Sequence, residues 1–175
     1  MDLVAVLYYL FPHAVAGRDF ALENFAGTLQ IVSWNAALLG AQPTQAQLDS
    51  AWATVQLTQT KSAQRAVIEQ AYFAARYGPP VTVTFGSTAY TFPTDAATQQ
   101  NIMGYIAANV TNATGTQTYS LMDASGTVQQ LTYAQLELLG QAIQNESTAA
   151  YTKKLTLEGE IAAATTVSGV QSIVW

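Results

Sequence analysis

The sequence contains no cysteine, and His13 is its only histidine. A disulfide framework is therefore impossible. Zinc, iron–sulfur and haem sites, which draw their ligands from thiolates and imidazoles, are not expected either. Charge is also scarce. Only 10% of the 175 residues are Asp, Glu, Lys or Arg, against about 25% in an average soluble domain. Six basic residues stand against eleven acidic ones. Such a chain has no basic stripe to follow phosphates, and no nucleic-acid partner is expected. The apolar stretch Leu3 to Phe11 falls well short of the roughly 20 residues that a membrane helix needs, so no membrane span is expected. It also lacks a basic lead-in and a small-residue cleavage site, and does not read as a secretory signal.

Catalytic signatures are missing too. There is no Gly-x-Ser-x-Gly elbow, no thiol nucleophile and no glycine loop ending in Gly-Lys-Ser/Thr, so neither nucleophilic catalysis nor phosphate binding has its usual parts. His13 follows Pro12 in a turn, where a satisfied or solvated imidazole is expected. Glu158 and Glu160 lie two apart on a helix and point to different faces, which rules out a paired acid and base. Asp123 sits in a turn that favours Asp for backbone reasons. No catalytic, cofactor-binding or metal-binding residue is nominated, no cofactor is expected, and the expectation is a protein that is not an enzyme. Lys61 and Arg65 are one helical turn apart, with Arg76 further along. They read as a solvated helix face, with an acidic partner patch as the alternative.

What the sequence does contain is apolar and uncharged. Half of it is hydrophobic, and its polarity comes from Thr, Gln, Asn and Ser. A freely diffusing monomer usually carries more charge, whereas obligate interfaces are depleted of it. The composition points to a permanent assembly.

The pattern along the chain is α+β: three main helices alternating with two β-hairpins, preceded by a small N-terminal helix or hairpin segment. Residues 3–11 can be a short helix or a buried strand, and Pro12 stops them. Phe20–Phe25 and Leu29–Trp34 form a small hairpin around Gly27. Asn35 to Gln42 is loop-like and marks a boundary between a docking segment, residues 1–42, and a helix–hairpin–helix–hairpin–helix domain, residues 43–175. Thr44 and Gln47 form a capping box. They open a helix with a stripe of Leu48, Trp52, Val55, Ala63, Ala66 and Phe73, which weakens at Thr58–Ser62, where a kink or a break can fall, and an end before Gly78-Pro79-Pro80. Val81–Phe85 and Ala89–Phe92 flank a Gly86-Ser87 turn. Thr94 or Asp95 caps the next helix, whose buried face is Ile102, Met103, Ile106, Ala107 and Val110. Thr111–Gly115 breaks it. Thr116–Met122 and Thr127–Leu131 are strands around an Asp123–Gly126 turn. Thr132 and Gln135 form a second capping box, opening a helix that runs to about Ala164. Its Leu136, Ile143, Ala150, Leu157 and Ile161 are expected to pack within one chain rather than in an intermolecular coiled coil.

Aromatic and apolar side chains near the two ends are the candidate interface residues: Tyr8, Tyr9, Phe11, Phe25, Trp34, Ile173 and Trp175. Trp52, on the helical stripe, reads as core. Trp34 and Trp175 suit either a subunit contact, where Trp is enriched, or packing inside the chain. Sugar stacking on them is the third possibility.

Two segments carry a family resemblance. Tyr9-Leu10-Phe11-Pro12, Arg18-Asp19-Phe20, Ile31–Asn35 and Gln42–Leu48 are similar to the openings of small proteins encoded in tail-fibre and baseplate regions of tailed bacteriophages. From near Ala63 onward, Phe85–Asp95, Leu131–Leu136 and Gly169–Ile173 resemble an uncharacterised domain family of phage tail-fibre-associated proteins. The resemblance implies a structural or adaptor component of a phage tail, joining baseplate or tail tip to a fibre. Its partners would be other tail proteins and copies of itself, with a trimer as the expected state. It would reside in the virion tail after assembly in the host cytoplasm. A fibre-assembly chaperone and a carbohydrate-binding tail module are the alternatives. No active site comes with the resemblance.

Overall fold

The computed structural model describes residues 1–110 and 117–175. The expected helix break at Thr111–Gly115, and Thr116 at the start of the expected strand, lie outside the described residues. Among those described, six helices and three two-stranded antiparallel sheets make the fold α+β. The chain divides into two compact units. One comprises Met1–Gln64 with Ala163–Ser172, the other Arg65–Ala162 with Ile173–Trp175.

In the first unit, residues Leu3–Leu10 form helix α1. Asp2 decides the choice between helix and strand: its carboxylate accepts from the Ala5 N–H at 3.0 Å, satisfying a donor that a helix start leaves free. Strands β1 (Phe20–Phe25) and β2 (Thr28–Trp34) pair as the expected hairpin. Ala26 and Gly27 both have positive φ, 50° and 87°, the pattern of a turn whose twist matches that of the strands. Asn24 steadies it by accepting from the Gly27 N–H at 2.8 Å. The expected loop at 35–42 instead contains a short helix, α2 (Ala36–Leu39), because Asn35 acts as its N-cap and accepts from the Leu38 N–H. The core joins α1, the hairpin and the following helix through Leu3, Val6, Leu7, Phe20, Leu48 and Ala51, with Trp34 and Trp52 packed against it.

Helix α3 (Gln45–Tyr77) opens on the expected capping box. The Thr44 N–H donates to Gln47 Oε1 at 2.8 Å and the Gln47 N–H to Thr44 Oγ1 at 3.3 Å. The helix runs unbroken through Thr58–Ser62, where the sequence allowed a kink or a break. The hydroxyls of Thr54, Thr58 and Thr60 bond back to the carbonyls of Ser50, Thr54 and Gln56. The polar stretch thus satisfies its own hydroxyls without leaving the helix. The stripe needs correction as well. Leu48 and Val55 are buried as expected, but Ala63, Ala66 and Phe73 are exposed, and Ile68 and Tyr72 take the buried positions. Helix α6 (Val167–Gln171) starts at Thr166, whose hydroxyl accepts from the Gly169 N–H, and it buries Val170.

The second unit contains the two hairpin–helix pairs. Strands β3 (Val81–Phe85) and β4 (Thr88–Phe92) turn at Gly86-Ser87, with Gly86 at φ +63°, a position that favours glycine at the start of a tight hairpin. Helix α4 (Ala96–Asn109) is capped by Asp95, which accepts from the Thr98 N–H and hydroxyl. Thr94 is buried instead and donates to the Pro79 carbonyl at 2.6 Å. The face expected for α4 shrinks to Ile102, which is fully buried, and Ile106, which is half-buried. Met103, Ala107 and Val110 are exposed. Helical spacing alone could not show how narrow the contact would be.

Strands β5 (Thr118–Met122) and β6 (Val128–Thr132) form the third hairpin. The second capping box then opens α5 (Tyr133–Ala163): the Thr132 N–H donates to Gln135 Oε1 and the Gln135 N–H to Thr132 Oγ1. Both hairpins and both helices bury side chains in one core, including Phe92, Ile102, Leu121, Leu131, Leu136 and Leu139. On α5, Leu136, Ile143, Ala150 and Ile161 are buried as expected.

Candidate functional site

Several ionised side chains are held by hydrogen bonds and ion pairs, most of them local in the chain. Asp19 is buried, bonded through both oxygens to Arg18 and through one to the Val15 N–H at 2.8 Å. The Arg18 bond, with the Val15 amide behind it, holds its carboxyl below the usual carboxylate range. Asp123 accepts from the Ser125 hydroxyl and N–H, the Thr127 N–H and the Gln129 amide. The Ser125 and Gln129 side chains lead in lowering its pKa to about 2. Asp95 is lowered chiefly by the Thr98 hydroxyl. These carboxylates close turns and caps, and none is held near neutrality, where general acid–base work is efficient. Lys154 pairs with Glu69 and, at 3.7 Å, with Glu158, while its ammonium lies 5.0 Å from the centre of the Tyr72 ring. Its pKa is raised, first by Glu69. No group of three His, Cys, Asp or Glu able to hold a metal occurs among the described residues. No described helix is long and apolar enough to cross a membrane.

The candidate site is instead a set of exposed apolar side chains. The seven residues nominated from the sequence separate into two kinds. Tyr8, Tyr9 and Phe25 are exposed, Phe25 by 49% and Tyr9 by 54%. Phe11 and Trp34 pack on the first unit's core. The Trp34 indole N–H also donates to the Gly40 carbonyl at 2.9 Å. Ile173 and Trp175 are half-buried, and the Trp175 ring lies 4.9 Å from the Lys153 ammonium, a cation–π contact that explains how a terminal Trp docks. Trp52 is half-buried against the core, near where the stripe placed it.

Further apolar side chains are exposed on the two elements that carry Tyr8 and Phe25, helix α1 and the β1–β2 hairpin. Val4, one turn before Tyr8 on α1, is exposed, as are Leu29 and Val32 on β2. Helix α1 is therefore apolar on its outward side as well as its inward side, which is unusual for a helix that meets water. Two clefts open beside these residues. One, of about 300 Å³, has Tyr9, Phe11 and Pro43 in its walls. The other, of about 500 Å³, has Leu3, Leu29, Ile31 and Leu48.

The second unit has its own exposed apolar positions that sequence reasoning missed. Met122 and Val128 face one another across the third hairpin, and both are more than half exposed. Leu138, Tyr151 and Leu155 are exposed on α5. The usable signal was the lack of polar residues at outward strand and helix positions, which period counting alone does not reveal.

Comparison with known proteins accords with this two-part organisation. Residues 3–60 match the XkdW protein family, which is phage-associated. Residues 59–173 match the family described as a domain of unknown function, DUF4376. The two matches meet a few residues before the division between the compact units at Gln64 and Arg65. No curated protein and no solved structure matches. Together the two family matches are those of a phage-related protein of an uncharacterised kind. Because the second covers well over half of the sequence, this chain belongs to the DUF4376 family.

Proposed function

We propose that this protein is a non-enzymatic structural adaptor of a bacteriophage tail, placed at the baseplate or tail tip and joined to a fibre. One observation carries the reading: on a chain with only 10% charged residues, large apolar side chains stand exposed on both units, among them Tyr9, Phe25, Met122 and Leu138. Exposed apolar side chains mark interaction sites where they adjoin one another, as Met122 and Val128 do across the third hairpin, and scarce charge suits a surface that neighbours cover. The similarity of residues 3–60 to a phage-associated family supports the setting. The first unit would dock on the tail through Tyr8, Tyr9 and Phe25, and the second would hold a fibre or sister subunits. The chain then works as a homo-oligomer in the virion, and a trimer suits fibre symmetry.

The test is peptide mass spectrometry of purified particles of the phage or prophage that encodes the chain. The adaptor reading expects the protein in fixed ratio to baseplate and fibre proteins. Its absence from mature particles, with presence in fibre-assembly intermediates, would reject the adaptor and leave an assembly chaperone. Light scattering on the purified chain adds a second check, since a lasting monomer at micromolar concentration contradicts a permanent assembly.

A further inference from the structure

Arg76 stands apart from the other paired cations of the chain. It lies in the last turn of α3. Its Nη1 donates to the Tyr72 hydroxyl at 2.7 Å, and its guanidinium carbon is 5.0 Å from the centre of the Tyr77 ring and 5.9 Å from that of Tyr72. Its Nε is buried and bonds to nothing. Arg18 and Lys154 each have a carboxylate partner, but no ion pair is formed by Arg76 among the described residues. A guanidinium offers five N–H donors in a planar fork that matches a carboxylate. One phenol and two ring faces leave most of that fork unused. Buried N–H groups in folded proteins almost always have a partner, so the vacant Nε marks a place where a bond is missing.

A cleft of about 390 Å³ opens beside this side chain, with Pro79, Val81 and Ile143 as apolar walls and Asn145 and Glu146 of α5 facing it. Thr82 and Thr94 add polar wall, and the apolar part of the lining strengthens a charge-assisted hydrogen bond made beside it. We propose that Arg76 is the anchor of a carboxylate-binding site in this cleft. The ligand carboxylate takes the Nε–Nη edge of the guanidinium, and the Asn145 amide is placed to donate a further bond. Turning the fork into the cleft gives up the Tyr72 hydrogen bond and the two ring contacts, which a charge-assisted bond to a carboxylate can replace, and no carboxylate among the described residues ties Arg76 down. Glu146, exposed and without a cation, sits in the same cleft. It opposes ligands of high negative charge and favours a single carboxylate with an N–H donor beside it. That is the chemistry of an Asp or Glu within a peptide, and also of a small free carboxylic acid carrying an N–H group. The site does not depend on the adaptor reading, and it would serve an adaptor by taking an acidic side chain of a partner.

The test follows the Arg Nε–H resonances of the full ¹⁵N-labelled chain by NMR at constant ionic strength. The probes are sodium acetate, sodium chloride, acetamide and a blocked Gly-Asp-Gly peptide. The site predicts a saturable shift of the Arg76 Nε–H and of the Asn145 amide with acetate and with the peptide, and none with acetamide. Tighter binding of the peptide assigns the ligand to a protein partner, and equal binding assigns it to free carboxylic acids. Arg76→Lys keeps the charge but loses the fork, and should weaken the Asn145 response at least about tenfold. Equal shifts with chloride and acetate, or none with either, would overturn the proposal. So would a change at the Arg76 Nε–H on Glu146→Gln in the absence of any probe, because Glu146 would then already fill the site.

Discussion

Phe11 and Trp34 meet edge to face, with ring centroids 5.0 Å apart and planes inclined at 71°. The pair ties the end of α1 to the end of β2, and Phe20, across the hairpin from Trp34, adds a third ring at 6.5 Å. Two residues that looked like docking aromatics therefore support the first unit from within. Trp34→Ala should cost about 2–4 kcal/mol, less than a fully buried Trp because Trp34 is half-buried. Phe11→Ala combined with it in a double-mutant cycle should show a coupling of about 0.5–1.5 kcal/mol. Urea unfolding followed by circular dichroism measures both. Trp34→Ala without loss of stability would return Trp34 to the role of a surface anchor.

Tyr9 and Phe25 should behave in the opposite way. Both are exposed, and replacing each by Ser should change stability by no more than about 0.5 kcal/mol. The same variants should lose incorporation into particles, read by mass spectrometry of virions from complemented phage. Normal incorporation of the double variant would remove this surface from the docking proposal.

Asp123 sets a dependence on acid. Its folded-state pKa is about 2 against an ordinary 3.8. A lowered carboxyl pKa contributes stability that is fully present above the ordinary value and is lost as pH falls from there towards 2. Asp123→Asn should lower the urea midpoint at neutral pH and flatten its decline across that window. Part of the decline remains, because Asp19 and Asp95 are also lowered. A carboxyl titration by NMR that places Asp123 near 4 would contradict the hydrogen-bond account of this turn.

Gly140 marks the close approach of α5 to α4. A β-carbon there would stand 2.7 Å from Ile106 Cδ1. Alanine gains about 1 kcal/mol over glycine in a helix interior, while pushing the Ile106 side chain off its rotamer costs about 0.5–1.5 kcal/mol. Ile106 is only half-buried and can give way, so Gly140→Ala should lie within about 1 kcal/mol of the natural protein by these two values. Gly140→Leu has no such escape and should lose about 1–3 kcal/mol through overpacking. Thermal unfolding of the two variants separates the cases.

Much of the fold was legible because its signals act over three or four residues. Thr44 with Gln47 and Thr132 with Gln135 bond to each other's backbones wherever the chain lies, so both long helices could be placed at their starts. Gly86 and Gly27 mark hairpin turns through backbone freedom alone. Asn35 carried the same kind of signal for α2 and went unused, because the small residues after it resembled a loop. The candidate surface was less legible. Tyr9 and Trp34 are both aromatic residues at the edge of an apolar run, and nothing within four residues of either tells that one faces out and the other packs inward.

Sequence alone therefore determined the α+β class, the order of the three main helices and three hairpins, the starts of the two longest helices and where the hairpins turn, since caps and turns are closed by near neighbours in the chain. It left α1 open and did not place α2 or α6. Tertiary structure decided which side of each element is covered. It buried Ile68 and Tyr72 in place of Ala66 and Phe73, and left Met103 and Val110 exposed. Burial depends on which distant segments arrive at a surface, and helical or strand spacing within one segment holds no information about that arrival.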